Sequence, residues 1–264
     1  MELVVLGSGG WMPRGGRATT SLALRTKDSL VILDAGTGIA RLLDPVHRRL
    51  TSGVDEVDIL LSHLHLDHTV GLSFLPALLP GRRVRIHVPE DPGAGYGGYD
   101  PLTVLDRLVG PPFFPHGFSD FPLQVEVRSL RSGSFTVAGL EVQARLQPHP
   151  GGSLGFRVGD ELAFLTDTVF DPGAAGFVRR VGVLVHEAWI RGEEDDEALK
   201  KGLSAHTSAE QAAKTAQEAG TGELLLSHLT PLRDESFHAG MLAAARAIFP
   251  RTHLCEDGLS RLLA

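Results

Sequence analysis

The stretch Ile59-Leu60-Leu61-Ser62-His63-Leu64-His65-Leu66-Asp67-His68 begins with residues typical of a buried strand and ends in three histidines and an aspartate. Imidazole and carboxylate groups are natural ligands of Zn²⁺ and similar ions, and the end of a strand holds them with little rotational freedom. His63 and His65 are two residues apart and can point to the same side, while a turn at Leu66 directs Asp67 and His68 to a neighbouring position. The spacing therefore offers two pairs of metal ligands.

Three more candidate ligands follow apolar runs further along the chain. They are His149 in Gln147-Pro148-His149-Pro150, Asp167 in Leu165-Thr166-Asp167-Thr168, and His228 in Leu226-Ser227-His228-Leu229. Taken singly, each of these residues would more often be structural than a ligand. The first cluster differs, because so many adjacent polar groups are hard to satisfy without a cation.

The composition indicates one soluble globular domain over residues 1–264, with 42% hydrophobic and 22% charged residues. The net charge of −7 argues against a surface that binds a nucleic-acid backbone, although an acidic protein can still contain a local basic groove. The single cysteine, Cys255, excludes an internal disulfide and is expected to be a packed small residue. The amino-terminal sequence has no signal-peptide pattern and no apolar run reaches about 18 residues, so we expect a cytoplasmic protein without a membrane partner.

The order of elements predicts two similar halves, each with strands followed by helices. Two sheets packed face to face with helices outside are the expected result. The predicted strands are Leu3–Leu6, Ser21–Arg25, Leu30–Asp34, Val57–Ser62, Val84–Val88, Leu123–Val127, Ser134–Val137, Leu140–Leu146, Leu154–Val158, Leu162–Thr166, Val181–His186, Leu224–Ser227 and His253–Cys255. The predicted helices are Gly38–Arg49, Leu72–Leu79, Leu102–Leu108, Thr207–Ala219 and Glu235–Ile248.

The segment 89–122 differs from the rest of the chain in its content of glycine, proline and aromatic residues. Long irregular loops inside compact domains are usually lids or binding loops. Its aromatic side chains could stack on a base or sugar. A structural insertion is the alternative.

The order His-x-His-x-Asp-His, His, Asp, His resembles the ligand signature of the metallo-β-lactamase superfamily, and Leu6-Gly7-Ser8-Gly9-Gly10 is similar to the glycine loop of that family. The resemblance implies an α/β fold, a four-layer αββα sandwich. It also implies two divalent metal ions, with Zn²⁺ the first expectation and Mn²⁺ the alternative. By the same resemblance, His63, His65 and His149 bind one metal, Asp67, His68 and His228 bind the other, and Asp167 bridges them.

Within the superfamily, three stretches resemble the phosphodiesterase branch that contains ribonuclease Z and small cyclic-phosphate phosphodiesterases. They are His186-Glu187-Ala188, Ala205-His206-Thr207-Ser208-Ala209-Glu210-Gln211-Ala212-Ala213 and Leu224-Leu225-Leu226-Ser227-His228-Leu229-Thr230-Pro231. The resemblance implies that His206 is catalytic, and departure of a poor alkoxide gives it a role as general acid. The alternative is that His206 merely precedes a helix capped by Thr207 or Ser208. Glu187 either orients His206 or forms a structural salt bridge, and Asp67 could also orient the attacking hydroxide.

The most favoured function is hydrolysis of a small phosphodiester, a cyclic nucleotide or cyclic sugar phosphate, by a metal-bridged hydroxide. Ribonuclease Z carries a long arm between the segment matching Gly155-Phe156-Arg157 and the bridging aspartate, and here only Val158–Thr166 lies between. RNA is therefore a less favoured substrate. The alternatives are a ribonuclease Z-like endonuclease, a glyoxalase-like or lactonase-like ester or thioester hydrolase, and a non-catalytic scaffold.

Two further expectations concern binding. Several arginines could contact phosphate or could simply be solvated: Arg14, Arg17, Arg82, Arg83 and Arg85. The resemblance to the family also implies a possible homodimer.

Overall fold

Two seven-stranded sheets form the centre of the molecule, and a computed structural model describes residues 1–90, 100–192 and 205–263. The strands are β1 (Glu2–Gly7), β2 (Ser21–Arg25), β3 (Leu30–Leu33), β4 (Glu56–Leu60), β5 (Arg83–Pro89), β6 (Gln124–Leu130), β7 (Gly133–Val137), β8 (Leu140–Gln147), β9 (Ser153–Val158), β10 (Leu162–Leu165), β11 (Val183–Glu187), β12 (Glu223–Ser227), β13 (Thr252–Leu254) and β14 (Ser260–Leu262). The α-helices are α1 (Arg48–Thr51), α2 (Leu66–Thr69), α3 (Leu75–Leu78), α4 (Pro101–Val109), α5 (Ala174–Phe177), α6 (Ala209–Ala219) and α7 (Glu235–Ile248).

The two sheets repeat one topology. The first has the order β14-β1-β2-β3-β4-β5-β6 and the second the order β13-β12-β11-β10-β9-β8-β7. In the first sheet the pairs are antiparallel from β14 to β3 and parallel from β3 to β6. In the second they are antiparallel from β7 to β10 and parallel from β10 to β13. The prediction of two similar halves is confirmed.

Alternation along each strand separates three apolar cores, because successive side chains point to opposite faces of a sheet. Leu3 and Val5 of β1 join Phe156 and Phe164 of the second sheet in the core between the sheets. Val4 and Leu6 face the helical layer outside the first sheet. The outer face of the second sheet packs on α6 and α7 through small residues such as Ala212 and Ala216. The predicted four-layer αββα sandwich of the metallo-β-lactamase fold is thus the observed architecture.

The predicted helix Gly38–Arg49 is wrong as a single element. The chain forms 3₁₀ helices at Thr37–Leu43 and Pro45–His47 and then the short α1. Pro45 has no N–H to continue a helix and disfavours helical geometry at the residue before it. Asp44 accordingly has an extended backbone with ψ 135°.

Smaller differences from the prediction lie at the ends of elements. The predicted helix Leu72–Leu79 divides into a 3₁₀ helix at Val70–Phe74 and α3. The last strand, β14, was not predicted from its short polar sequence. Cys255 is fully buried, and burial raises the pKa of its thiol to about 12, as expected of a packed residue.

Described residues of the segment 89–122 pack on the first sheet. Phe114 and Phe118 contact Phe121 edge-on and lie against the outer core of that sheet. Residues 91–99, with Tyr96 and Tyr99, lie outside the described residues, so part of the predicted lid is not described. Within the described ranges, no helix is long and apolar enough to cross a lipid bilayer.

Candidate metal centre

All seven predicted ligands meet at one edge of the sandwich, where parallel strands from both sheets end. The first cluster follows β4, and the loop after β8 carries His149. Asp167 and His228 follow β10 and β12 of the second sheet. Carboxyl ends of neighbouring parallel strands meet at the same edge of a sheet, so residues far apart in sequence converge there.

The first group of candidate ligands contains His63, His65, His149 and Asp167. His149 Nε2 lies 3.3 Å from His65 Nδ1 and 3.7 Å from Asp167 Oδ1. His63 Nε2 lies 3.9 Å from the same carboxylate oxygen and is a buried nitrogen without a hydrogen-bond partner. An orphaned buried nitrogen costs free energy unless a ligand satisfies it.

The second group contains Asp67, His68 and His228. His228 Nε2 lies 3.3 Å from Asp67 Oδ2 and 3.3 Å from His68 Nε2. The other oxygen of Asp167, Oδ2, lies 3.1 Å from His68 Nε2 and 3.4 Å from His228 Nε2. Asp167 therefore presents one carboxylate oxygen to each group.

These separations fit two bound cations. Nitrogen and oxygen ligands at about 2.0–2.2 Å from one tetrahedral Zn²⁺ lie about 3.3–3.6 Å from one another. The donor atoms around Asp167 are spaced at 3.1 to 3.9 Å. The donor set of five imidazoles and two carboxylates also has the chemistry that Zn²⁺ and related ions accept.

The electrostatics of the site also favour cations. Burial alone would raise the pKa of Asp167, but the imidazoles of His228, His68 and His63 hold it well below its usual range. Burial would lower the pKa of His68, yet the carboxylates of Asp167, Asp67 and Asp34 raise it well above its usual range. Three carboxylates around one buried ring create a negative potential that a divalent cation would neutralise.

Hydrogen bonds fix the orientation of three candidate ligands. His63 Nδ1 donates to Ser62 Oγ at 3.0 Å, and His149 Nδ1 donates to the Ala205 carbonyl at 2.9 Å. His68 Nδ1 donates to Asp34 Oδ2 at 2.8 Å. Each bond gives Nδ1 the donor role and directs Nε2 to the centre, where a cation would take the place of any proton on that nitrogen.

Asp34 is the residue that the sequence reasoning did not single out. Its Oδ1 accepts from the Ser62 N–H at 2.6 Å, and its Oδ2 accepts from Ser62 Oγ at 2.8 Å as well as from His68. It is fully buried at the end of β3. An aspartate closing an apolar strand, Leu30-Val31-Ile32-Leu33-Asp34, was the signal available for it.

The backbone at the site is unusual. Four residues there have left-handed φ angles: Trp11 at 61°, Asp34 at 60°, Asp167 at 48° and His228 at 51°. Non-glycine residues in this region are uncommon and gather at functional sites. Gly10 lies against the ring of His228, since a Cβ at Gly10 would stand 2.5 Å from His228 Cε1. The glycine loop therefore lets the backbone approach a ligand.

His206 and Glu187 lie beside the second group. His206 Nδ1 donates to Glu187 Oε2 at 2.7 Å, and Glu187 Oε1 accepts from the Thr168 N–H at 2.5 Å. Burial alone would lower the pKa of His206, but the Glu187 carboxylate raises it to about 9. Ser208 caps α6, so the predicted cap exists beside the contact between His206 and Glu187 rather than in place of it.

The site opens into a cavity of about 310 Å³. It is lined by Trp11, His65, Asp67, His149, Pro150, Asp167, Trp189, Ala205, His206 and His228. No residue of the described part of segment 89–122 is among them.

The five predicted arginines divide by position. Arg82 and Arg83 lie at the start of β5, away from its carboxyl end, and bond to Val54 O and Glu56. Arg85 is held by Asp58 and Glu56, so these three arginines do not lie at the cavity. Arg17 pairs with Glu235 and Arg14 donates to the Pro231 carbonyl beside the glycine loop.

A family model described as the Beta-lactamase superfamily domain matches residues 30–229. The chain belongs to the metallo-β-lactamase superfamily. Ribonuclease BN of Salmonella paratyphi C (strain RKS4594) is 26% identical over 318 aligned positions that cover 97% of this chain and 98% of that protein. Because the alignment is longer than this chain of 264 residues, the relative has insertions that this superfamily member lacks.

Two solved structures show the same fold. Human tRNase Z, short form, superposes with a TM-score of 0.73, 19% identity and complete coverage of both chains. A diphosphatase from the PhnP family superposes with a TM-score of 0.69 and 19% identity, covering 99% of this chain and 97% of that one. The superfamily predicted from the sequence is confirmed by the family model, and these two structures share its fold.

Proposed function

We propose that this superfamily member is a metal-dependent phosphodiesterase that acts on a small phosphodiester, a cyclic nucleotide or a cyclic sugar phosphate. The observation that carries the proposal is His206. Glu187 holds its Nδ1, which leaves Nε2 as the nitrogen that can serve the cavity the ring lines. A histidine fixed beside a dinuclear centre suits the protonation of a poor leaving group.

The proposed metal roles follow the two groups of donor atoms. His63, His65 and His149 would hold one ion, Asp67, His68 and His228 would hold the other, and Asp167 would offer one oxygen to each. Zn²⁺ is proposed as the native ion, since imidazole-rich sets suit it, with Mn²⁺ as the alternative. When bound, two such ions supply a nucleophile from water at neutral pH and neutralise the charge of the phosphate.

The protein residues then divide the remaining work. Asp67 Oδ2 accepts the Trp11 N–H at 2.7 Å, which fixes the carboxylate where it can orient an attacking water. Glu187 positions His206 and keeps its proton available. His206 gives that proton to the departing alkoxide oxygen, whose basicity otherwise makes it a poor leaving group.

The test is hydrolysis by the Zn²⁺-loaded and Mn²⁺-loaded protein. The substrates are 2′,3′-cyclic AMP, bis(p-nitrophenyl) phosphate, a p-nitrophenyl ester and a thioester. We expect His206→Ala to lower kcat on the cyclic nucleotide by about 10²- to 10⁴-fold. The nitrophenyl diester should lose much less, because nitrophenolate leaves without a proton.

The matched control is His116→Ala, since His116 is exposed and lies outside the cavity. It should leave both diester activities unchanged. Turnover of the ester or thioester with inert diesters would overturn the proposal. Equal falls in kcat on both diesters would refute the role of His206 as general acid but would leave the phosphodiesterase activity standing.

An RNA endonuclease is the second candidate, favoured by the ribonuclease BN relative. Against it, residues 159–161 alone connect β9 to β10, so no long arm stands at the position named above. The net charge of −7 also opposes binding of a long polyanion. Cleavage of a precursor transfer RNA at a rate above that of 2′,3′-cyclic AMP would favour this second function.

A further inference from the structure

Trp11 stands at the mouth of the cavity with most of its side chain in solvent. It lines the cavity together with five of the candidate metal ligands, and 58% of its surface is exposed. Folding therefore gains little from this indole, because burial of apolar surface is what stabilises a fold. A mostly apolar cavity with a few convergent polar groups and an aromatic side chain at its mouth is a feature of ligand sites.

The backbone of Trp11 is held in place at a cost. Its φ of 61° lies in the left-handed region, which a bulky residue rarely adopts and glycine adopts readily. Its N–H donates to Asp67 Oδ2 at 2.7 Å, so the position of the indole is tied to a candidate metal ligand. Strain of this kind is kept where it serves a ligand clamp.

The other aromatic side chains discussed above are packed against protein groups, so they offer no free ring face to a ligand. The other tryptophan, Trp189, is buried and stacked on His206, with ring centroids 4.6 Å apart and planes 17° apart. Phe114 and Phe118 of the segment 89–122 are packed on the first sheet rather than on the cavity. Within the described residues, Trp11 is thus the exposed aromatic face at the mouth.

We propose that Trp11 is a specificity-determining residue that stacks on a planar aromatic group, a nucleobase, of a nucleotide whose phosphate lies over the candidate metal ligands. This inference rests on the proposed function and narrows its substrate class from any small phosphodiester to a nucleotide. Stacking on an aromatic side chain tolerates any base, so the site distinguishes nucleotides from sugar phosphates without selecting one base.

The binding test uses isothermal titration calorimetry with the Zn²⁺-loaded protein and two probes, AMP and ribose 5-phosphate. The wild-type protein should bind AMP roughly 5- to 150-fold more tightly than ribose 5-phosphate, which is the gain in affinity that stacking of one base provides. Trp11→Gly suits the left-handed backbone, removes the indole and should abolish the preference. Trp11→Phe should keep part of it.

Met12→Ala is the matched control, because Met12 is the exposed neighbour of Trp11, 41% exposed, and does not line the cavity. It should keep the full preference for AMP. A preference that is the same in wild type and Trp11→Gly would overturn the inference. So would equal binding of both probes by the wild-type protein.

Kinetics separate this inference from the proposed function. With 2′,3′-cyclic AMP and glycerol 1,2-cyclic phosphate, Trp11→Gly should raise KM for the nucleotide by roughly 5- to 150-fold more than KM for the glycerol substrate. Inert diesters combined with a Trp11-dependent preference for AMP would refute the phosphodiesterase function and keep the stacking role. Active diesters with unchanged KM would refute the stacking role alone.

Discussion

Among single residues, Asp34 controls the orientation of two candidate ligands without belonging to either donor group. Its carboxylate accepts from His68 Nδ1 and from the N–H and the hydroxyl of Ser62, whose Oγ in turn accepts from His63. The proton positions on both rings follow from this one carboxylate. A loss of charge at Asp34 should therefore weaken metal binding at both groups of candidate ligands.

We expect Asp34→Asn to lower metal affinity by at least about tenfold, which is typical when an outer partner of a ligating histidine is changed. Asparagine tolerates the left-handed backbone, so the fold should survive. The measurement is competition with a chelator, followed by metal analysis. Asp28→Asn, in the exposed turn between β2 and β3, is the control. Unchanged affinity in Asp34→Asn would show that His68 is oriented by other contacts.

The seven metal-ligand candidates could be predicted because residue type and order carry their chemistry. Asp34 and Trp11 could not, since their roles depend on contacts with residues 34 and 56 positions away and on left-handed backbone angles. Residue type alone left the arginines of β5 either solvated or in contact with phosphate. Strand direction decides against phosphate contact, because it places Arg83 at the end of β5 opposite to the site.

At the scale of elements, strands were predicted well because apolar runs mark them, while helices interrupted by proline were not. Pro45 ends one helix and opens the next, and a period of apolar residues does not reveal that break. The contacts of a polar residue inside a strand were not predicted either. Asp58 of β4 lies opposite Arg85 of β5, between core residues Val57 and Ile59 that face the helices.

The pairing of β4 with β5 should depend on pH through Asp58. Burial alone would raise the pKa of Asp58, but hydrogen bonds from Arg85 and His87 hold it below its usual value. A lowered pKa in the folded state stabilises the protein above the unfolded pKa of about 4, and this contribution is lost as pH falls through the folded pKa.

We therefore expect Asp58→Asn to lower the free energy of unfolding by about 2 kcal/mol at pH 7, as for hydrogen bonds to a charged group. The difference from wild type should shrink as the pH falls below about 4, because the wild-type carboxyl then becomes neutral. Urea denaturation across this range measures it. Glu126→Gln, on the exposed face of β6, should show a much smaller difference, because solvent screens the exposed pair of Glu126 with Arg128. A constant gap at all pH values would contradict the role of the Asp58 charge.

At the scale of the whole molecule, the candidate metal centre joins two sheets that otherwise meet through an apolar core. His63, His65, Asp67 and His68 follow a strand of the first sheet, whereas His149, Asp167 and His228 follow strands of the second. A cation bound by both sets would hold the edges of the two sheets together. Because the unfolded chain cannot assemble these ligands, metal binding should stabilise the folded state.

Removal of metal should therefore lower the midpoint of thermal unfolding, Tm. At a metal concentration about 1,000 times Kd, binding contributes about 4 kcal/mol. For a chain of this size that corresponds to a fall in Tm of roughly 8–16 °C. Calorimetry with and without a chelator measures the change, and Zn²⁺ added in excess of the chelator should restore Tm.

Asp167→Asn is the informative variant, because among the described residues Asp167 alone offers an oxygen to both groups. The Tm of this variant should be lower than that of the wild type before chelator is added and should change little afterwards, since the carboxylate shared by the two donor groups is already lost. Ser29→Ala, in the turn before β3, should behave as wild type towards the chelator. A wild-type Tm that is indifferent to chelation would mean that the two sheets do not share a cation, even though their ligands meet at one edge.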